Sequence, residues 1–377
     1  MPKKLLIVAG EASGDFHGAS LVRALKRLDP EISCCGIGGQ RMALAGCKIF
    51  IDIAELAFLG FIDVLINYSK IKKIFTRLLA YIEETQPDAV ILIDYPGFNL
   101  KLAQELKKRK FRVIYYISPQ IWAWWPGRIE TIRRSVEKML VIFKFEEELY
   151  AQHGINAAFV GHPLLDIARP EHTKEEYLHI LRLSEQNLTV GLMPGSRAME
   201  VKRILPLLLQ SARIIKEKLW RVQFVILKTP ELPKELYTAI LEKSSLEARI
   251  SENRTYDFLN ICDFALVASG TATLETAIMT KPMIIVYKVS FLNWLIARSL
   301  IKLPYIGLVN VVAGKKIIPE FVQFQAQPQR IATAALEMLQ DQPYLTKVKQ
   351  ELEKVRAELG EPGASARAAE IITRLLS

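Results

Sequence analysis

Short apolar runs alternate with helix-period segments along nearly the whole chain, and this rhythm constrains the fold more than any other feature of the sequence. Leu5–Ala9 reads as a buried strand, with a helix over Asp15–Leu28 after it. Ala89–Ile93 is a second strand, followed by a helix from Asn99 to Lys108. Val113–Ile117 is a third and Met139–Phe143 a fourth, leading into a helix over Glu146–Gln152. Strands this apolar, joined by helices, belong to parallel sheets covered on both faces. The rhythm breaks from Gly161-His162-Pro163 to Arg169-Pro170, crosses the charged stretch Glu171–Asn187, and restarts. Thr189–Met193, Phe224–Leu227, Phe264–Ala268 and Met283–Tyr287 then read as strands, and Val201–Lys218, Glu235–Ser244 and Thr273–Met279 as helices. The expectation is an α/β chain of two doubly wound, Rossmann-like domains, 1–165 and 166–343. The remainder, 344–377, reads as two helices broken at Gly360-Glu361-Pro362-Gly363.

Composition narrows the partners. With 50% hydrophobic and 24% charged residues the chain is neither disordered nor fibrous. Fifty Lys and Arg against 40 Asp and Glu give a net charge of +10, which favours nucleic acid, phosphate-bearing ligands or an acidic membrane surface. The basic residues are spread along the chain and form no nucleic-acid motif, so the last two remain. Cys34, Cys35, Cys47 and Cys262 have neither a disulfide framework nor zinc spacing, which fits a reducing cytoplasm. The apolar run after the basic start is too short for a signal peptide, and no uncharged apolar stretch reaches about 18 residues. A membrane would therefore be met at its surface.

Ligands of open α/β sheets sit at the C-terminal ends of strands, and five turns lie there. Gly10-Glu11-Ala12-Ser13-Gly14-Asp15 combines a tight turn with a helix start that can face an anion. It is not GxGxxG, which argues against a dinucleotide fold. Ser13 or Asp15 suits a helix cap, whereas Glu11 gains nothing structural and is a functional candidate. Asp94-Tyr95-Pro96-Gly97-Phe98-Asn99 places an acid at a strand tip, the position of a general base or of a turn-stabilising aspartate, with Asn99 as the expected N-cap. Ser118–Arg128 holds Trp122, Trp124 and Trp125, either a grip for a sugar, base or acyl chain or a packed aromatic plug. Met193-Pro194-Gly195-Ser196-Arg197 offers a close backbone approach and a guanidinium fork for phosphate; the alternative is a plain Pro-Gly turn with a surface arginine. In Ser269-Gly270-Thr271-Ala272-Thr273-Leu274-Glu275, free N–H groups and a helix dipole converge on an anion, and Glu275 is placed to accept ribose hydroxyls. A capping box there would have Thr271 and Glu275 four apart instead of three. The five histidines have no metal spacing, although His17 follows the first turn. There is no Walker A motif and no Asp-x-Asp pair, so phosphates would be held by helix ends and arginine.

The stretch 56–82 carries a helical stripe, Leu65, Tyr68, Ile71, Phe75, Leu78 and Ile82, most simply core. Phe58, Leu59, Phe61, Ile62, Val64, Ile66 and Ile74 are an apolar surplus interleaved with Lys70, Lys72, Lys73 and Arg77. That mixture reads equally as an interfacial element or as a buried helix with a basic face. Phe61, Val64, Ile66, Lys70, Lys73 and Trp124 are the candidate lipid contacts.

Six segments together resemble the lipid-A-disaccharide synthase family, inverting GT-B glycosyltransferases. They are VAGEASGD (Val8–Asp15), IDYPGFN (Ile93–Asn99), YISPQIWAW (Tyr116–Trp124), FVGHPLLD (Phe159–Asp166), PGSR (Pro194–Arg197) and ASGTATLE (Ala268–Glu275), in the family's order across the chain. The resemblance implies two domains facing a cleft, with the C-terminal helices crossing back to the first. It implies condensation of UDP-diacylglucosamine with diacylglucosamine 1-phosphate (lipid X), without cofactor or metal, at the cytoplasmic face of an inner membrane. Asp94 matches the family's essential aspartate and Arg197 its essential arginine. Asp94 and Glu11 are then the catalytic candidates, with Asp94 preferred as base. Ser13, Ser196, Arg197, Ser269, Gly270, Thr271, Thr273, Glu275 and Asn310 are the substrate-binding ones. Asn310 falls on a family asparagine beside the nucleotide site. Gly97 replaces an acid found in some members, so that second acid cannot be required here. Anionic membrane is the implied macromolecular partner and nucleic acid is not; oligomeric state stays open. A UDP-sugar epimerase of the same architecture is the alternative.

Overall fold

A computed structural model describes residues 2–56, 68–122, 127–290, 294 and 304–376. These form two units, Met1–Asp166 with Leu359–Ser377, and Ile167–Glu358. The first is built on seven strands: β1 (Lys4–Ala9), β2 (Ser33–Gly38), β3 (Cys47–Asp52), β4 (Ala89–Ile93), β5 (Val113–Tyr116), β6 (Lys138–Val141) and β7 (Ala157–Phe159). All pairs are parallel, in the order β3-β2-β1-β4-β5-β6-β7. β4 and residues Leu5–Ala9 of β1 are fully buried, which is why they read as unbroken apolar runs. The second unit has β8 (Leu188–Met193), β9 (Val222–Lys228), β10 (Arg249–Glu252), β11 (Phe264–Ala268), β12 (Met283–Tyr287) and β13 (Glu320–Val322). These are also all parallel, in the order β10-β9-β8-β11-β12-β13.

Five of these strands, β2, β3, β7, β10 and β13, are absent from the sequence expectation. Four of them carry exposed or half-buried positions throughout or in alternation, and β2 is Ser-Cys-Cys-Gly-Ile-Gly, with two glycines in six residues. Short edge strands bury too little apolar surface to leave a continuous run.

The two C-terminal helices part company. Gln342–Glu358 packs on Ala272–Ile278 and Pro328–Gln340 in the second unit, whereas Ala364–Leu376 packs along Ala12–Leu28 in the first. The expectation that both return to the first domain is corrected for Gln342–Glu358. Ala368, Ala369 and Ile372 are fully buried in the second packing; small side chains let the two helices approach closely. Hydrogen bonds hold the tail there. His162 N donates to Leu359 O (2.8 Å), Arg367 Nε to Val160 O (2.8 Å), and Gly363 N to the Asp166 carboxylate.

The helix Tyr68–Thr85 buries Ile74, Leu78 and Ile82 and half-buries Ile71 and Phe75. Ile74, counted above as surplus, is core. Lys70, Lys72 and Lys73 are exposed on the opposite side. Phe61, Val64, Ile66 and Trp124 lie outside the described residues. Among the described residues, no helix is long and apolar enough to cross a membrane.

Candidate active site

The order of strands reverses at β1 and β4 in the first unit and at β8 and β11 in the second. Open sheets bind ligands beyond the C-terminal ends of the strands at such points. In the first unit Ala9 pairs with Ile93, so the turns carrying Glu11 and Asp94 leave the sheet side by side. Asp94 and Tyr95 both have left-handed backbones, φ 44° and 48°. Such conformations cost energy in residues with a Cβ and persist only where the surroundings impose them. The surroundings do so here. Asn99 Nδ2 donates to the carbonyls of Ile93 (3.1 Å) and Asp94 (2.8 Å), and the Tyr115 hydroxyl donates to Asp94 O at 2.5 Å. The Tyr95 ring lies against Gly10, where a Cβ would meet Tyr95 Cδ1 at 2.2 Å. Asn99 is therefore not the N-cap that its position suggested. It lies fully buried inside the helix Pro96–Lys108 and clamps the turn before it. Sequence reasoning missed Tyr115; the one available signal was a tyrosine in a buried strand, whose hydroxyl needs a partner.

Burial, reinforced by the nearby Glu11 carboxylate, raises the Asp94 carboxyl to about 7, against a smaller lowering by the Tyr95 N–H. Near neutral pH such a group can both accept and release a proton. Glu11 is exposed and accepts from Ser13 Oγ at 2.8 Å; its side chain makes no cap to the helix Ala12–Leu28. Asp15, expected to cap that helix, caps another. Its buried carboxylate accepts from the N–H groups of Gly39 (2.7 Å), Arg41 (3.1 Å) and Met42 (3.1 Å) at the start of Gln40–Leu44. A cavity of about 310 Å³ opens on Asp94, with Arg128, Ser118 and Gln120 as its other polar lining and Ile117 and Phe143 as apolar wall. Beside it Trp122 packs edge-on against Phe143 and Phe145, and its Nε1 donates to the buried Glu146 at 3.0 Å. Burial raises that carboxyl to about 7, offset in part by the Trp122 hydrogen bond. His17 and His162 are driven down to about 4 and about 3 by burial, so both imidazoles are neutral at physiological pH.

In the second unit Met193 pairs with Val267, placing the Pro194–Arg197 turn beside Ser269–Thr271. Gly195 has φ +105°, and a Cβ there would meet Glu200 Oε2 at 2.6 Å. That carboxylate accepts from the N–H groups of Ser196 (3.2 Å) and Arg197 (3.3 Å), so these donors are already occupied. The Arg197 side chain is exposed. After β11, Ser269 Oγ donates to Ile306 O (3.1 Å) and Thr273 Oγ1 to Gly270 O (2.8 Å). These hydroxyls shape the turn. The N–H groups of Gly270, Thr271 and Ala272 donate to no described group, which leaves them for an anion. Glu275 is half-buried with its carboxyl raised by burial, and Tyr256 OH donates to it at 3.3 Å. Asn310 is fully buried. Its Nδ2 donates to Ile318 O and Glu320 Oε1, and its Oδ1 accepts from Ile317 and Ile318. Every amide atom is spent, and Asn310 braces the Leu308–Glu320 segment behind the turn.

Glu171, His172 and Asp257 bring ligand-type atoms within 4.8 Å of one another. Asp257 there accepts from the backbone of Glu171 and His172, from His172 Nδ1 and from Arg254, whose Nη1 also meets Glu171 at 3.0 Å. The cluster ties the entering chain to the second unit.

Two parallel-sheet α/β units, each with candidate site turns at its switch point, define a chain of GT-B architecture. Solved structures share that fold. The putative UDP-N-acetylglucosamine 2-epimerase from Listeria monocytogenes superposes with a TM-score of 0.66 at 13% identity, covering 100% of this chain and 97% of the other. The glycotransferase of kitacinnamycin gives 0.66 at 14% identity, covering all of both chains. Sequence is more specific. Residues 5–374 match the family model of lipid-A-disaccharide synthetase. The lipid-A-disaccharide synthase of Syntrophus aciditrophicus is 45% identical over 375 residues, 99% of this chain and 98% of the relative. The chain belongs to the lipid-A-disaccharide synthase family, hexosyltransferases of lipid A biosynthesis.

Proposed function

We propose that this chain transfers diacylglucosamine from UDP-diacylglucosamine to the 6-hydroxyl of diacylglucosamine 1-phosphate, with inversion to a β linkage. The observation that carries the reading is Asp94: an acid held in a left-handed turn at the first unit's switch point, beside a cavity, with its carboxyl at about 7. The acceptor oxygen forms a bond to the donor anomeric carbon while the bond from that carbon to the diphosphate oxygen breaks. The hydroxyl proton passes to the Asp94 carboxylate, and UDP leaves with the bonding pair. Glu11 lies next to the base as a second carboxylate and modulates it. In the second unit, the free N–H groups at Gly270, Thr271 and Ala272 and the exposed Arg197 guanidinium are suited to the charge that grows on the departing diphosphate. Glu275 suits the ribose hydroxyls. This set of donors supplies charge stabilisation without calling on a metal.

The acceptor and donor are both lipids, so the enzyme works at an anionic surface, peripherally on the cytoplasmic face of the inner membrane. The exposed Lys70, Lys72 and Lys73 suit that surface. The test of the chemistry is Asp94→Asn. Turnover should fall by at least 10²-fold, the scale of a lost general base, while UDP-donor affinity stays near that of the wild type. A variant with substantial residual rate removes Asp94 as base. The epimerase reading rests on fold likeness alone.

A further inference from the structure

In the first unit the half-buried Arg128 guanidinium and the candidate base Asp94 line the same cavity. A general base must lie within about 2.6–3.2 Å of the proton it takes. Whatever occupies this cavity therefore carries the attacking hydroxyl and is the acceptor, not the donor. The acceptor in the reading above also carries a phosphate on its anomeric oxygen, across one pyranose ring from the 6-hydroxyl. Such an anion enters a space that already holds the Asp94 carboxyl with Glu11 nearby. Like charges at close range in a partly desolvated site repel strongly unless a cation lies among them. Arg128 is the only cation among the described lining residues, and Ser118 and Gln120 line the same space with neutral hydrogen-bonding groups. A cavity of about 310 Å³ is at the small end of ligand pockets, sized for a sugar phosphate headgroup with its acyl chains outside.

We infer that Arg128 is the acceptor-phosphate contact, and that it makes the enzyme select a 1-phosphorylated acceptor over the same lipid without phosphate. This rests on the functional reading above and adds to it a specificity residue. A guanidinium suits the task because it forks onto two phosphate oxygens and keeps its charge when partly buried.

The test compares diacylglucosamine 1-phosphate with diacylglucosamine as acceptors, in the wild type, Arg128→Gln and Arg128→Lys. With the phosphorylated acceptor, Arg128→Gln should raise the acceptor KM roughly tenfold to a hundredfold, the scale of a lost charged hydrogen bond, and leave the donor KM unchanged. With the unphosphorylated acceptor, Arg128→Gln should lose far less efficiency than with the phosphorylated one, so that the preference between the two acceptors collapses. Arg128→Lys should recover part of the discrimination. If Arg128→Gln slows both acceptors by one factor, or affects neither, the inference is overturned while the functional reading stands. If the wild type makes disaccharide from neither acceptor, the functional reading fails and takes this inference with it.

Discussion

Asp94 carries two opposed demands. The proposed catalysis needs its carboxylate, yet burial and Glu11 favour the protonated form and raise it to about 7. Because the base must be ionised, kcat/KM should rise with pH up to about 7 and level off above it. Removing the neighbouring charge with Glu11→Gln should move that acidic limb to lower pH; a limb that stays in place would show that Glu11 does not act on Asp94. The same displacement has a stability consequence. A carboxyl raised from 3.8 to about 7 binds a proton in the folded state that the unfolded chain has already lost over that window. Stability therefore falls as pH rises from about 4 to about 7, at about 1.4 kcal/mol per unit of displacement, and the full cost is present above 7. Asp94→Asn should thus be more stable than the wild type at pH 8, by a few kcal/mol at most, with the difference fading towards pH 4. Thermal melts at the two pH values measure it. Asp94 was legible because an acid at the tip of an apolar strand is a recognisable position. Its clamp was not, because the Tyr115 hydroxyl reaches the Asp94 carbonyl across 21 residues of sequence, through a strand pairing that spacing does not encode.

At the scale of elements, both sites follow from where strand order reverses. The turns after β1, β4, β8 and β11 are legible as motifs, and the central strands are legible as apolar runs. Their adjacency is not, since it depends on the order in which strands join the sheet. Edge strands escaped for a different reason: they are short and partly exposed, whereas the interior strand β2 escaped because it is glycine-rich. Asp15 shows how one side chain can serve a neighbouring element. Its carboxylate closes three backbone N–H groups at the start of Gln40–Leu44, two of these bonds being buried. Asp15→Ala should therefore destabilise the chain by about 2–4 kcal/mol in urea unfolding, the cost of leaving buried donors unpaired. A change below about 1 kcal/mol would mean that water replaces the carboxylate there.

For the whole molecule, the chain ends where it began: Leu359–Ser377 completes the first unit by packing on the helix after β1. The broken pair of C-terminal helices was legible from Gly360 and Gly363; the assignment of one helix to each unit depends on tertiary packing and was not. The net charge of +10 acquires a location in part, in the exposed lysines of Tyr68–Thr85. Lys70→Glu, Lys72→Glu and Lys73→Glu combined should release the enzyme from vesicles containing anionic lipid, with little effect at high salt, where the attraction is already screened. Unchanged sedimentation would return that helix to a purely structural role. The most direct measurement of the central claim is UDP release by the purified chain from UDP-diacylglucosamine, with and without diacylglucosamine 1-phosphate, followed by linkage analysis of the product. Release that requires the acceptor and yields a β-linked disaccharide 1-phosphate is the result expected. UDP release without acceptor, or epimerisation of UDP-N-acetylglucosamine with no lipid present, would contradict it.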